Sequence, residues 1–125
     1  MSARILVIED TEDNREIVRD LLDSVGLEMI EAHDGLSGVD AALSQSPDLI
    51  LMDIDLPGID GLEATRRIRS GEQADRHVPI IAVTSFALSG DEEKAREAGC
   101  DDYVAKPYSP RALLAKIREH LASAG

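Results

Sequence analysis

The sequence predicts a single α/β domain in which a doubly wound, five-stranded parallel sheet is covered by five helices. The first observation is that residues 5–8 and 49–52 are wholly apolar, which is typical of strands buried on both faces of a sheet. The second is that strand-like and helix-like segments alternate five times along 125 residues. Right-handed crossovers then place helices on both faces of the sheet. We expect one domain, residues 1–125, with no effector domain.

Each predicted element has its own sequence signal. Besides the two apolar runs, residues 29–32, 79–83 and 103–105 are predicted strands, and the weak segment 29–32 is expected near a sheet edge. The helices are predicted within residues 12–25, 35–46, 62–70, 89–98 and 110–121. Ser89 with Glu92 forms a capping box, and Ser109-Pro110 is a start signal for the last helix.

Helical periodicity indicates which side chains face the core. The fourth helix offers only Ala95 and Ala98, so it is expected to bury little. The inward-facing residues expected in the other helices are Ile17, Val18, Leu21, Leu22 and Val25 in the first; Leu36, Val39, Ala42 and Leu43 in the second; Leu62, Thr65 and Ile68 in the third; and Leu113, Leu114, Ile117 and Leu121 in the fifth.

Composition excludes several classes of function. The chain has 25 Asp and Glu against 13 Lys and Arg, and its net charge of −12 argues against unaided binding to nucleic acid or an anionic membrane. Cations, including metal ions, are better suited as ligands. The single Cys100 rules out an internal disulfide, and no apolar run reaches membrane length or resembles a signal-peptide core. We therefore expect a cytoplasmic protein.

Chemically active side chains follow four of the predicted strands. Glu9 and Asp10 follow the first, Asp53 ends the third, Thr84 ends the fourth and Lys106 follows the fifth. The carboxyl ends of parallel strands lie at one edge of the sheet, where open α/β sheets bind ligands. An acid at one strand end is commonly a solvated cap, but the joint placement of these groups favours a site.

These residues resemble the receiver domains of two-component response regulators in the CheY-like superfamily. The motifs are the acid pair, Asp53 before the Pro57-Gly58 turn, Thr84, and Lys106-Pro107, and they span most of the chain. The run at 84–87, the run at 90–93 and Gly99-Cys100 before Tyr103 are most similar to the DivK-like, single-domain branch. The resemblance implies the flavodoxin-like strand order 2-1-3-4-5.

The resemblance also implies a role for each site residue. Asp53 would be the phosphoacceptor, forming an acyl phosphate. Asp10 and Asp53 would bind Mg²⁺ directly, Glu9 through a water and Asp55 through its backbone carbonyl. Glu9 departs from the more common Asp at its position, which lengthens the arm that makes the water-mediated contact.

Further implied roles concern the phosphoryl group and the response to it. Lys106 and Thr84 would contact phosphoryl oxygens. Thr84 and Tyr103 would act as the switch that remodels the face formed by the fourth helix, fifth strand and fifth helix. Asp55 and Phe86 flank the site and are hypothesised to modulate dephosphorylation. The Lys106-Pro107 peptide bond would be cis.

The function predicted from these features is phosphoacceptor signalling and not enzymatic turnover. A stand-alone receiver would take a phosphoryl group from a phosphohistidine on a sensor histidine kinase or a histidine phosphotransfer protein. It would then bind a downstream protein as a monomer or weak dimer, without contacting nucleic acid or inserting into a membrane. Magnesium is the implied cofactor.

Three alternatives stay open at this point. The Asp53-x-Asp55 spacing resembles the nucleophile motif of haloacid-dehalogenase-type phosphatases, although those carry it after the first strand of a longer chain. A flavodoxin-like electron carrier has the same layers, but the chain has only two Tyr and one Phe and no Ser/Thr-rich phosphate loop. A receiver fold could also serve as a phosphorylation-independent scaffold.

His33, His77 and His120 lack metal-ligand spacing and are expected at the surface, whereas Cys100 is expected as an apolar filler.

Overall fold

The structure is a computed structural model that describes residues 2–72, 76–84 and 91–124. The strands are β1 (Arg4–Ile8), β2 (Glu28–Ala32), β3 (Leu49–Asp53), β4 (Ile80–Thr84) and β5 (Asp102–Ala105). The helices are α1 (Glu12–Ser24), α2 (Gly35–Gln45), α3 (Gly61–Gly71), α4 (Asp91–Ala98) and α5 (Pro110–Ala124). Strand and helix alternate throughout, as the sequence predicts.

The strands in the described part of the chain form one parallel sheet in the order β2-β1-β3-β4-β5. This confirms the predicted fold class and places the weak strand β2 at an edge. The chain reverses direction between β1 and β3, so a crevice opens between their carboxyl ends. Side chains of β3 and β4 are buried along the whole length of both strands, which is why these strands read as continuous apolar runs.

Two apolar layers cover the two faces of the sheet. On one face, Val18 and Leu22 of α1 pack with Leu113 and Ile117 of α5 against alternate residues of the strands. The opposite layer contains Ala41 and Ala42 of α2, Ala64 and Ile68 of α3, and Ala95 and Ala98 of α4. Helices on both faces are the doubly wound arrangement.

The buried face of α2 differs from the prediction. Leu36 and Leu43 are 60% and 46% exposed, and the buried positions are instead Gly35, Gly38, Ala41 and Ala42. A Cβ atom at Gly38 would lie 2.6 Å from the side chain of Ile8, so the helix axis approaches β1 too closely for larger residues. The predictions for Leu36 and Leu43 were therefore wrong, whereas Ala42 is buried as predicted and Val39 is partly buried against the same layer.

One prediction for α1 was also wrong, and one capping signal is not tested. Ile17 is 54% exposed, because the buried face of α1 is formed by Val18 and Leu22, one turn apart. At α5, Ser109 caps the helix through a 2.9 Å hydrogen bond from the Ala112 N–H to the Ser109 hydroxyl oxygen, as predicted. The predicted cap Ser89 lies outside the described residues. No described helix has the length and apolar character needed to cross a membrane.

Candidate functional site

Strand register brings the predicted site residues together. Ile8 pairs with Met52, so the next residue of each strand places Glu9 beside Asp53. Thr84 pairs with Ala105, so Lys106 follows directly at the same edge. The Lys106 N–H donates a 2.7 Å hydrogen bond to the Thr84 carbonyl oxygen, which continues this pairing one step beyond the strand.

Asp53 is held in a rigid, dry position at the end of β3. It is 5% exposed, and one carboxylate oxygen, Oδ1, accepts a 2.9 Å hydrogen bond from the Asp55 N–H. The start of α3 packs directly on its backbone: a Cβ atom at Gly61 would lie 2.3 Å from the Asp53 carbonyl oxygen. The adjacent Asp60 caps α3 by accepting a 2.9 Å hydrogen bond from the Glu63 N–H. The Asp53 carboxylate therefore has little freedom to move.

Glu9 is the second buried acid of the site and is also 5% exposed. Its oxygens accept hydrogen bonds from the Asn14 amide at 2.5 Å and from the Asp10 N–H at 3.1 Å. Burial, together with a hydrogen bond shared with Asp53, raises the pKa of Glu9 to about 7. A carboxyl group this close to another acid is harder to ionise, because the neighbouring negative charge destabilises its own charged form.

Lys106 supplies the positive charge of the site. Its Nζ lies 3.3 Å from Glu9 Oε1 and 3.5 Å from Asp53 Oδ2. Burial opposes the ammonium charge, but the attraction of Asp53 and Glu9 outweighs it and raises the pKa of Lys106. Lys106 is thus a fixed cation at neutral pH. The Lys106-Pro107 peptide bond is cis.

The acids form a set that could hold a metal ion. One carboxylate oxygen each from Glu9, Asp10 and Asp53 lie within 4.8 Å of one another. Asp10 is exposed whereas the other two are buried, so the set opens to solvent on one side. Hard oxygen ligands with room for waters are what Mg²⁺ prefers. The donor set therefore fits the predicted magnesium ion.

Thr84, one of the two predicted switch residues, lies at the same edge of the sheet as this cluster, and the other, Tyr103, lies within β5. Thr84 is 3% exposed at the carboxyl end of β4, one residue beyond the partner of Asp53 in the sheet. Tyr103 is half-buried and packs against the apolar layer that contains Met52 and Ala82. Phe86, the predicted modulator of dephosphorylation, lies outside the described residues.

A family model for the response regulator receiver domain matches residues 5–118. The chain belongs to this family. The polar-differentiation response regulator DivK of Brucella ovis is 43% identical over 124 residues, which cover 99% of this chain and 100% of that protein. The predicted resemblance to receiver domains, and to DivK in particular, is confirmed.

Solved receiver domains have the same fold as this one. The receiver domain of the sensor histidine kinase PA1611 from Pseudomonas aeruginosa, with a magnesium ion coordinated in its active site cleft, is 39% identical with a TM-score of 0.88. The match covers 98% of this chain and 99% of that domain. A putative response regulator from Chloroflexus aurantiacus is 28% identical with a TM-score of 0.90, with the same coverage of both chains.

Two residues of this receiver domain that contact the acid cluster were not predicted from the sequence. Asn14 donates to the Glu9 carboxylate, and the Arg15 guanidinium donates a 2.6 Å hydrogen bond to the Glu9 carbonyl oxygen. Both belong to the first turn of α1, which starts at the carboxyl edge of the sheet. The sequence could have indicated both residues, because a helix that follows β1 begins beside the residues that end β1.

The contacts of the histidines and the cysteine in the structure are with groups other than the acid cluster. His33 and His77 are exposed as predicted, and each lies near a carboxylate. His120 was wrongly assigned to the surface: its side chain is 19% exposed and lies 2.8 Å from Asp102. Cys100 is buried, its Sγ lies 3.7 Å from the Thr65 hydroxyl, and burial raises the pKa of its thiol, in agreement with a packing role.

Proposed function

We propose that this receiver domain accepts a phosphoryl group on Asp53 and signals through the resulting change of conformation. The observation that carries the proposal is the arrangement around Asp53. This buried carboxylate faces the Lys106 ammonium at 3.5 Å and contributes to a three-carboxylate set of metal-binding size. A carboxylate is a weak nucleophile, so it needs this fixed position and nearby positive charge.

Magnesium is the proposed cofactor, held by the acid cluster. The similar receiver domain of PA1611 contains a magnesium ion in its active site cleft. In this chain Asp10 and Asp53 would bind the ion directly, Glu9 through a water and Asp55 through its backbone carbonyl. Bound Mg²⁺ supplies positive charge that lets an anionic phosphoryl group approach anionic carboxylates.

The proposed transfer step starts from a phosphohistidine. A carboxylate oxygen of Asp53 forms a bond to phosphorus as the phosphorus–nitrogen bond breaks, and the electron pair of that bond leaves with the imidazole. The product is an acyl phosphate on Asp53 and a histidine that takes up a proton from solvent. Lys106 pairs with one phosphoryl oxygen as a point charge, and the Thr84 hydroxyl donates to another.

The response is proposed to pass through Thr84 and Tyr103. Phosphorylation draws the Thr84 hydroxyl toward the phosphoryl group, and the Tyr103 ring follows inward, which remodels the face formed by α4, β5 and α5. Among the described side chains of α4, only those of Ala95 and Ala98 are buried. This helix is therefore weakly anchored to the core. Hydrogen exchange across residues 86–98 should change on phosphorylation, and identical exchange in both states would exclude the switch.

The proposed phosphodonor is a sensor histidine kinase or a histidine phosphotransfer protein, and the proposed output is binding of a downstream protein. We further propose that the chain works as a stand-alone cytoplasmic receiver, by analogy with DivK, which it matches over the full length of that protein. Asp55 and Phe86 are proposed to set how readily water attacks the acyl phosphate. The half-life of the phosphorylated Phe86→Ala variant tests the second of these roles.

Intact mass after incubation with acetyl phosphate tests the phosphoacceptor role. We expect the wild type to gain one phosphoryl group in the presence of Mg²⁺ and the Asp53→Asn variant to gain none. The Asp102→Asn variant is a matched control, because it removes a carboxylate at the opposite edge of the sheet and should still be modified. No gain with acetyl phosphate or with any kinase donor would overturn the proposal and favour a phosphorylation-independent scaffold.

A further inference from the structure

Asn14 makes a short contact to the acid cluster from the first helix. Its Nδ2 donates a 2.5 Å hydrogen bond to Glu9 Oε1. Asn14 is the only asparagine in the sequence, and it is half-buried at the third position of α1. The next residue, Arg15, donates to the Glu9 carbonyl oxygen at 2.6 Å. Consecutive residues of one helix therefore hold both the side chain and the backbone of Glu9.

The Asn14 amide donates to Glu9, and it does not cap the helix to which Asn14 belongs. A polar residue at the third helical position commonly completes a cap by reaching back to the residue that precedes the helix. Here that residue, Thr11, makes no side-chain cap hydrogen bond, and the Asn14 amide points past it to Glu9. Asparagine is also a poor former of helix interiors. Local helix stability therefore does not account for Asn14.

The hydrogen bond from Asn14 is one of three contacts that orient the Glu9 carboxylate. Oε1 of Glu9 is shared between the Asn14 amide at 2.5 Å and the Lys106 ammonium at 3.3 Å, and Oε2 accepts from the Asp10 N–H. Without the amide, Lys106 is the remaining partner of Oε1 among these contacts, and the carboxylate would turn toward it. That movement would pair the negative charge of Glu9 with Lys106 and withdraw it from Asp10 and Asp53.

We propose that Asn14 is a positioning residue that keeps the Glu9 carboxylate directed into the acid cluster and limits its pairing with Lys106, so that the cluster binds Mg²⁺. This rests on the magnesium site of the proposed function. Partners that orient metal ligands typically change metal affinity by 10- to 100-fold when removed. We expect the lower end of that range, about tenfold, because Glu9 acts on the ion through a water.

Calorimetric Mg²⁺ titration of the full chain, without any phosphodonor, tests the proposal. Asn14→Leu removes the amide at similar volume and should weaken Mg²⁺ binding by about tenfold. Asn14→Ala is a second variant that favours the helix, and it should show the same loss with an unchanged thermal midpoint. Gln45→Leu is the matched control, since it replaces an exposed amide at the end of α2 and should bind Mg²⁺ as the wild type does.

A double-mutant cycle separates positioning from a general structural effect. If Asn14 acts through Glu9, adding Asn14→Leu to Glu9→Ala should cause no further loss of Mg²⁺ affinity. Equal losses in both backgrounds, or no loss in Asn14→Leu alone, would overturn the proposal while leaving the magnesium site intact. A wild type that does not bind Mg²⁺ would instead overturn the proposed function, and this inference with it.

Discussion

Gly61, the first residue of α3, lies against the backbone of Asp53 so closely that a Cβ atom at residue 61 would be 2.3 Å from the Asp53 carbonyl oxygen and 2.7 Å from Ile54 Cα. The atoms it would meet are backbone atoms, which cannot turn aside as the end of a side chain can. The Gly61 N–H also donates a 3.1 Å hydrogen bond to the Ile54 carbonyl oxygen. The position of Asp53 thus depends on a glycine eight residues later.

Replacing Gly61 with Ala should therefore move Asp53. We expect Gly61→Ala to lower the free energy of unfolding by about 1–3 kcal/mol, since it overpacks a rigid contact, and to slow phosphorylation by acetyl phosphate. Urea unfolding and the rate of phosphoryl gain by mass check the two effects. Gly71→Ala is the control: the three atoms nearest to its Cβ would all belong to the side chain of the exposed Leu43, which can shift. Equal rates for wild type and Gly61→Ala would show that the close approach does not position Asp53.

We expect Lys106 to compete with a metal ion for the carboxylates that it contacts. Its ammonium lies 3.3 Å from Glu9 and 3.5 Å from Asp53. We expect Lys106→Met to increase Mg²⁺ affinity by roughly tenfold, because a repelling charge is removed from a partly buried site. The same variant should take up the phosphoryl group more slowly, because the proposed partner of a phosphoryl oxygen is lost.

The matched control for Lys106→Met is Lys116→Met. Lys116 also pairs with a carboxylate, Asp102, at 3.1 Å, but it does so at the amino end of β5, away from the acid cluster. Its loss should leave Mg²⁺ affinity unchanged. Weaker Mg²⁺ binding in Lys106→Met than in the wild type would contradict the competition between the ammonium and the ion.

Asp102 should contribute to the pH dependence of stability. Burial works against its carboxylate, but hydrogen bonds from His120, the Tyr103 N–H and Lys116 outweigh it and hold the pKa of Asp102 below its ordinary value of 3.8. Because folding lowers the pKa of Asp102, its ionised carboxylate stabilises the folded state. This stabilisation is present above the ordinary pKa of 3.8 and is lost as the pH falls through the lower pKa of the folded state.

Urea unfolding of the wild type and Asp102→Asn between pH 7 and pH 2 checks this. We expect the variant to be less stable at pH 7 and the difference between the two proteins to shrink below about pH 4. Asp13→Asn, which changes an exposed carboxylate of α1, controls for the change in net charge. A difference that stayed constant over the whole range would show that Asp102 does not stabilise the fold through its charge.

Replacing Gly38 with Ala tests whether helix propensity or packing has the larger effect on stability at this position. In an exposed helix, Gly→Ala stabilises by about 1 kcal/mol. At Gly38 the new methyl group would lie 2.6 Å from the side chain of Ile8, in the buried layer between α2 and β1. We expect Gly38→Ala to destabilise by about 1–3 kcal/mol, measured by thermal or urea unfolding. A gain in stability would mean that Ile8 repacks and that α2 is not held at this distance.

The sequence was sufficient for the fold and for most of the candidate site because both rest on local patterns. Apolar runs mark strands buried on two faces, and groups such as Asp53 and Lys106 are recognisable because each directly follows a strand. Parallel pairing then brings them to one edge whatever the details of helix packing. The wrong predictions concern helix faces: Leu36, Leu43 and Ile17 are apolar but exposed.

What the sequence by itself determined is the order of elements and the residues that meet at the carboxyl edge, because these follow from periodicity and from strand ends. It also indicated the family, because its motifs resemble those of receiver domains. Only the tertiary structure decided which atoms touch. The hydrogen bond from Asn14 to Glu9 and the contact of Gly61 with Asp53 depend on the distances between helices and strands. Those distances are set by close packing of whole layers, and periodicity along one segment does not encode them.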